Sequence, residues 1–151
     1  MPSGITKHQL LGIFDLENLK NDYVWEFPRY KSFTKWPYKR NAKCLPANMA
    51  EAGWYCTNND PDDPTAKCAF CLKELSGWES TDDPWSEHSK HSGQCAFVKL
   101  GKPEKNCTIQ DMYNLLEARM LKILELQHNE NLKKIDDIKT KVMNEVKRKQ
   151  P

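Results

Sequence analysis

The chain has 151 residues, 38% of them hydrophobic and 29% charged, with 23 lysines and arginines against 21 aspartates and glutamates. That length holds one domain of about 100 to 150 residues, or a smaller one with an extended appendage, and leaves no room for two full cores. A formal charge of +2 is too small to imply a nucleic-acid partner, and no apolar run approaches the about 20 residues that a membrane span needs.

In chain order, the first residues, "MPSGITKHQLLGIFDLENLK", carry acids where a signal peptide is apolar. The chain is therefore expected inside the cell, where six cysteines serve as metal ligands or free thiols rather than disulfides. Residues 1–28 read as an N-terminal extension in which Leu10, Leu11, Phe14 and Leu16 form one short amphipathic helix, the alternative being an arm docked on its own domain.

From Arg29 to Leu100 the composition shifts to aromatic residues, and a domain is expected over 29–100. "LPANMAEAG" has the content of a helix stopped by Gly53. "AGWYC" and "KCAFCL" flank the turn-forming "TNNDPDDPT", which predicts a hairpin. In "TDDPWSEHSKHSG", Asp83 is placed to cap a helix with Pro84 at its first position and Gly93 at its stop. Between Thr57 and Glu87 stand Asp60, Asp62, Asp63, Glu74, Glu79, Asp82, Asp83 and Glu87 against only Lys67 and Lys73, an acidic face that calls for a basic partner. Some 70 residues bury a modest core, so a further staple is expected.

After a linker at 101–107, Thr108 to Arg148 is free of Pro and Gly and predicts one helix within 108–151, capped by Thr108 with Asp111 at its positive end. At 1.5 Å per residue it is a rod of roughly 60 Å. Ile109, Met112, Leu116, Met120, Ile123 and Leu124 form one apolar stripe, and Leu132, Ile135, Ile138, Val142 and Val146 a second, with polar "QHNEN" between. The first stripe can fold back on the domain, whereas the second has nothing there to meet and points to another chain.

The staple is found at Cys68 and Cys71. Their C-x2-C spacing lets two thiolates of one turn grip a tetrahedral ion, and the second pair combines Cys95 with either His88 or His91. Sulfur with imidazole favours zinc, which brings no redox chemistry. A redox C-x-x-C is disfavoured because no helix follows it to lower a thiol pKa. Cys44, Cys56 and Cys107 lack ligand-like neighbours and read as ordinary thiols.

The arrangement C-x2-C-x16-H-x6-C at Cys68, Cys71, His88 and Cys95 resembles a baculovirus inhibitor-of-apoptosis repeat (BIR). "RYKSFTKWP" at Arg29–Pro37, "MAEAGW" at Met49–Trp54, "GWE" at Gly77–Glu79 and "DDP" at Asp82–Pro84 carry the same resemblance. It implies an α+β fold, a short three-stranded antiparallel sheet with surrounding short helices, and a single structural Zn2+ held by His88 with His91 left free. With one repeat followed directly by a long helix, the chain most resembles the single-repeat members that serve the chromosomal passenger complex.

For those members the resemblance implies a groove that captures a histone tail beginning Ala-Arg-Thr with the threonine phosphorylated. Leu75 and Trp78 would line the alanine pocket, Asp82 would hold the ammonium, Asp62 would face the arginine, and Lys73 and His91 would receive the phosphate. Ser76 stands where such sequences have a second acid, leaving Glu74 or Asp83 to replace it. Without the resemblance, Trp78 reads as core and the charged positions as solvated surface. The long helix would join helices of a borealin-like subunit and the N-terminus of an inner centromere protein, bringing an Aurora-type kinase to centromeres in mitosis and to the spindle midzone in cytokinesis. The implied location is nuclear and chromosomal with a cytoplasmic pool. Ile109, Met112 and Tyr113 align with a self-association surface, so a homodimer of the free chain is also implied.

Catalysis finds no support. There is no Ser-His-Asp arrangement and no phosphate-cradling glycine loop among only six glycines, and Cys107 alone after Cys95 is too little for a RING-type zinc module. A non-enzymatic reader and scaffold is therefore expected, with inhibition of cell-death proteases as the second possibility.

Overall fold

The computed structural model describes residues 22–149, so the amphipathic helix expected near Leu10–Leu16 lies outside the described residues. Helix α1 spans Glu26–Ser32 and α2 Pro46–Glu51; strands β1, β2 and β3 span Trp54–Asn58, Thr65–Cys68 and Glu74–Leu75. Helices α3 (Pro84–Ser92) and α4 (Ala96–Leu100) follow, then a 3-10 turn at Glu104–Asn106 and α5 at Ile109–Arg148. The sheet is antiparallel in the order β1-β2-β3, with Trp54 opposite Cys68 and Ala66 opposite Leu75. The fold is the expected α+β arrangement of a short sheet, small helices and one long helix. No described helix is long and apolar enough to cross a membrane.

The hairpin starts where the sequence requires a glycine. Helix α2 begins with Pro46 behind extended Leu45 and ends at Ala52, after which Gly53 takes φ +90°. Only glycine enters that region without strain. Its carbonyl accepts from Ala69 N at 3.0 Å, tying the start of β1 to the cysteine turn. A methyl group there would lie 3.0 Å from Phe97 Cδ1. Gly53→Ala is therefore expected to destabilise the zinc-loaded protein by about 1–3 kcal/mol in urea unfolding; unaltered stability would contradict this account of the turn.

The described fold starts ahead of Arg29. Val24 is fully buried, the Tyr23 ring stacks on Tyr55 at 4.0 Å, and α1 runs through the boundary expected between residues 28 and 29. The reason is Arg29 itself, which is fully buried. Its guanidinium donates to Ala50 O at 2.8 Å, Tyr23 O at 2.9 Å and Val24 O at 2.8 Å, so the preceding segment must fold around it. The rings of Phe70 and Phe97 cover it at 5.6 and 5.9 Å, and the Glu104 carboxylate stands 3.9 Å away.

Trp36, Trp54, Met49 and Phe97 fill the centre. The two indoles donate to Cys44 O and Pro84 O at 3.0 and 3.1 Å, satisfying the polar end of each ring. Cys44 and Cys56 are buried thiols, pushed up to about 11 by desolvation, and Cys107 is half-buried.

Helix α5 opens with the expected cap. Thr108 Oγ1 accepts from Asp111 N at 3.1 Å, and Asp111 Oδ2 accepts from Thr108 N at 2.8 Å. The docked face differs from the expected stripe. Leu115 is the buried residue, with Met112 and Leu116 packed beside it, while Ile109 is 92% exposed and Tyr113 is exposed as well. Met120, Ile123 and Leu124 are partly buried. Arg119 pairs with Asp22 at 2.6 Å and marks the last tie to the domain's start. Beyond Leu126 the helix leaves the domain, and Leu132, Ile135, Ile138, Val142 and Val146 are about half-exposed or more.

Candidate metal centre and adjoining groove

Strand β2 delivers Cys68 at its last position, and the chain reverses through Leu72, whose φ is +61°. The turn closes with Cys68 N donating to Lys73 O at 2.9 Å. The amides of Phe70 and Cys71 point at Cys68 Sγ from 3.3 and 3.4 Å, which favours the ionised sulfur. Helix α3 contributes His88, and Cys95 stands at the N-cap of α4. The α3 turn is fixed by Asp83, whose carboxylate accepts from Ser86 N at 2.8 Å.

The four ligand atoms of Cys68, Cys71, His88 and Cys95 lie within 4.8 Å of one another. Cys68 Sγ to Cys95 Sγ is 4.0 Å and Cys71 Sγ to His88 Nε2 is 3.6 Å. A tetrahedron with Zn–S about 2.3 Å and Zn–N about 2.0–2.1 Å places sulfurs about 3.8 Å apart and sulfur about 3.6 Å from nitrogen. The cluster fits one structural zinc. His88 Nδ1 faces Ala52 O at 2.8 Å, so its proton sits there and the Nε2 lone pair is turned to the sulfurs. Of the two histidines the spacing allowed, His88 is fully buried in the cluster and His91 points to solvent.

The electrostatics ask for a cation. Hydrogen bonds from the Cys68 and Cys95 thiols hold Cys71 far below the usual thiol range, whereas burial pushes Cys68 well above it. Burial lowers His88, but its bonds to Cys71 and Cys95 outweigh that and raise it to about 9. Zinc displaces these protons and neutralises the thiolates together. Ser92 Oγ donates to Cys71 Sγ at 3.2 Å, supporting the most exposed ligand from outside.

Next to the zinc site, a small groove of about 150 Å³ is lined by Leu75, Ser76, Gly77 and Trp78 together with Asp82, Glu87 and His91. Trp78 is the buried floor, anchored by Nε1 donating to Leu75 O at 3.1 Å. Asp82 Oδ2 accepts from Glu79 N at 2.8 Å, which holds its carboxylate at the rim. Four of the six expected peptide-contacting residues, Leu75, Trp78, Asp82 and His91, meet here. Lys73 lines a separate cleft with Cys71, Leu72 and Lys122 of α5. Asp62 lies in the β1–β2 turn, its amide bonded to Asp60.

The second acid of the groove is Glu87, neither Glu74 nor Asp83. Asp83 is engaged as the α3 cap, its carboxyl held below the usual range by the Ser86 amide, and Glu74 stands opposite Lys67 in the sheet register, outside the groove lining. Glu87 Oε2 stands 3.2 Å from His91 Nε2 and its other oxygen 3.6 Å from Lys90 Nζ. The i, i+4 spacing of Glu87 and His91 was the available signal, since it puts both on one helical face while His88 turns inward.

A closed Cys3His zinc site wrapped in a short sheet and small helices defines a zinc-stapled binding domain. Residues 29–99 match the BIR, Inhibitor of Apoptosis domain, and the chain belongs to this family of inhibitor-of-apoptosis proteins. Within it the chain resembles survivin. It is 47% identical over 107 residues to Baculoviral IAP repeat-containing protein 5.1 of Xenopus tropicalis, covering 70% of this chain and 65% of that protein. It is 43% identical over 108 residues to protein 5.2 of the same organism, covering 68% of each. Against Baculoviral IAP repeat-containing protein 5 of Cavia porcellus, identity is 38% over 116 residues, covering 76% of this chain and 80% of that protein. The match thus spans just under two thirds of the first of these relatives.

Proposed function

We propose that this chain is a non-enzymatic reader and scaffold of the chromosomal passenger complex. Its groove takes the free N-terminus of a histone tail beginning Ala-Arg-phosphothreonine. Helix α5 joins a borealin-like subunit and an inner centromere protein, which carry an Aurora-type kinase to centromeres and, later, to the spindle midzone.

The observation that carries this reading is the pairing of Asp82 and Glu87 beside an apolar floor of Trp78 and Leu75. An N-terminal ammonium has three donors and needs carboxylates, while a first side chain of one methyl group needs a small apolar recess. His91, when protonated, donates to a phosphate, and exposed Lys73 supplies a second positive charge on a flexible stem. The closed donor set leaves a bound zinc no position for a reacting water, so its contribution is to hold β2, α3 and α4 in register. The exposed apolar side chains of α5 are the surface offered to partner helices.

Calorimetric titration of zinc-loaded protein tests the groove. A peptide beginning Ala-Arg-phosphothreonine should bind about tenfold or more tightly than its unphosphorylated form. Acetylating its first residue should abolish binding. Equal affinity with and without phosphate would remove His91 and Lys73 from the site.

A second reading follows from the family's description and the same alanine-sized recess: inhibition of caspases, or capture of pro-apoptotic peptides with N-terminal alanine. Slowing of a purified caspase at micromolar concentration, together with indifference to the phosphate, would favour it.

A further inference from the structure

Opposite in character to the acidic groove, a second concavity of about 560 Å³ opens between α1 and the start of α2. Phe33, Leu45, Pro46 and Ala47 make its apolar base, and Tyr30, Lys31 and Lys39 make its rim. The sequence around it is one-sided. From Phe27 to Ala50 there is no aspartate or glutamate, yet Lys31, Lys35, Lys39 and Arg40 are all exposed. None of these four has a carboxylate within 4.0 Å among the described residues, whereas Lys90, Lys102, Lys105 and Lys122 elsewhere do.

The concavity is rigidly built. Trp36 is fully buried and its Nε1 donates to Cys44 O at 3.0 Å, so the loop that carries Lys39 is pinned at both ends. Tyr38 Oη donates to Trp78 O at 2.6 Å, and Asn48 Nδ2 to Lys43 O at 2.7 Å. Tyr30 is 51% exposed and Phe27 64%, leaving aromatic surface uncovered beside the lysines, with Lys31 Nζ 4.7 Å from the Phe27 ring centre.

We propose that this basic, apolar-based concavity is a second peptide-binding site, for an acidic segment that inserts an aliphatic or aromatic side chain between α1 and α2. The charge pattern selects an anionic ligand, since Lys31 and Lys39 line the opening, Lys35 and Arg40 lie close by in sequence, and none has a carboxylate partner among the described residues. The largely aliphatic base selects a side chain over a nucleobase. Single-stranded nucleic acid is held on exposed stacking platforms along a basic track, whereas here the only base aromatic, Phe33, is buried and Leu45, Pro46 and Ala47 form the rest of the base. A concave opening also takes an inserted side chain better than it follows an anionic bilayer. The ligand needs no free N-terminus, which distinguishes this site from the Asp82 and Glu87 groove.

The experiment uses full-length, zinc-loaded protein and a fluorescent, N-acetylated probe, Asp-Glu-Asp-Leu-Phe-Asp-Glu-Asp, followed by anisotropy at low and moderate salt. Acetylation keeps the probe out of the ammonium groove. The probe should bind at least tenfold more tightly than the same peptide with alanine in place of Leu-Phe. Lys31→Glu with Lys39→Glu should weaken it at least tenfold, and Ala47→Trp, which fills the concavity while leaving every charge in place, should do the same. Lys90→Glu on α3 should change nothing. Thermal melts of each variant confirm that the fold is retained. Equal binding of the two peptides, insensitivity to Ala47→Trp, or tighter binding of an oligothymidylate or of phosphatidylserine vesicles than of the probe would overturn the proposal.

Discussion

Removing zinc with a chelator should unfold the small domain, and His88→Ala should prevent it from folding. Cys68 ends β2, His88 lies within α3 and Cys95 opens α4, so one ion joins three elements that a core of about 70 residues holds only weakly. Apparent zinc-binding energies in small zinc peptides are about 10–16 kcal/mol, comparable to the entire stability of a typical domain, about 5–15 kcal/mol. Near-ultraviolet circular dichroism and tryptophan fluorescence should both change on chelation and recover when zinc is restored, with one zinc per chain by elemental analysis.

Acid should act in the same direction. Metal-bound sulfurs are held as thiolates, with folded-state pKa values depressed below those of free thiols, so their contribution is present at neutral pH and lost as pH falls. Native spectra in the presence of excess chelator would refute the structural role of the ion.

Replacing Arg29 should be nearly as damaging. Arg29→Met keeps much of the volume but leaves the carbonyls of Ala50, Tyr23 and Val24 without their donor in the core, and removes the partner of Glu104. Loss of one member of a buried charged network costs about 3–5 kcal/mol. Arg29→Lys should recover little, because one ammonium cannot reproduce the guanidinium fork that reaches α2 and the 23–24 segment at once. Urea unfolding of zinc-loaded protein measures both. A change under about 0.5 kcal/mol, the range of an ordinary surface substitution, would show the guanidinium to be dispensable.

These two sites differ in how they could be read from the amino acids. The zinc ligands announce themselves, since cysteines at C-x2-C spacing followed by a further histidine and cysteine match a tetrahedral zinc site, and no helix follows them to make a redox pair. Only the choice between His88 and His91 needed the family resemblance, and the packing settles it, with His88 at 0% exposure. Helices α3 and α5 were equally plain, because Asp83 and Thr108 are caps with nearby backbone partners.

Arg29 gave no such signal. Arginine is ordinarily exposed, and nothing local shows that carbonyls from residues 23, 24 and 50 converge on it. The docked face of α5 was legible only in part, for a similar reason. Periodicity finds apolar residues but not which of them meets a neighbour, and Leu115 enters the core while Ile109 overhangs it. Glu87 is visible in the sequence only as one acid of the acidic face, because its service to the groove depends on how α3 is rotated, which the buried His88 fixes. The short α4 and the 3-10 turn after it carried no distinct pattern at all.

From Gln127 to Lys149 every residue of α5 is exposed, so nothing among the described residues supports it sideways. Its order rests on intrinsic propensity and a few pairs such as Glu130 with Lys134 at 2.8 Å, each contributing only about 0.2–0.5 kcal/mol. In proteins most helical stability comes from tertiary packing, which this stretch lacks among the described residues. Any chain that covered Ile135 and Ile138 would have to meet the entropy of straightening the rod from its own binding energy, so that recruitment and ordering would be a single thermodynamic event.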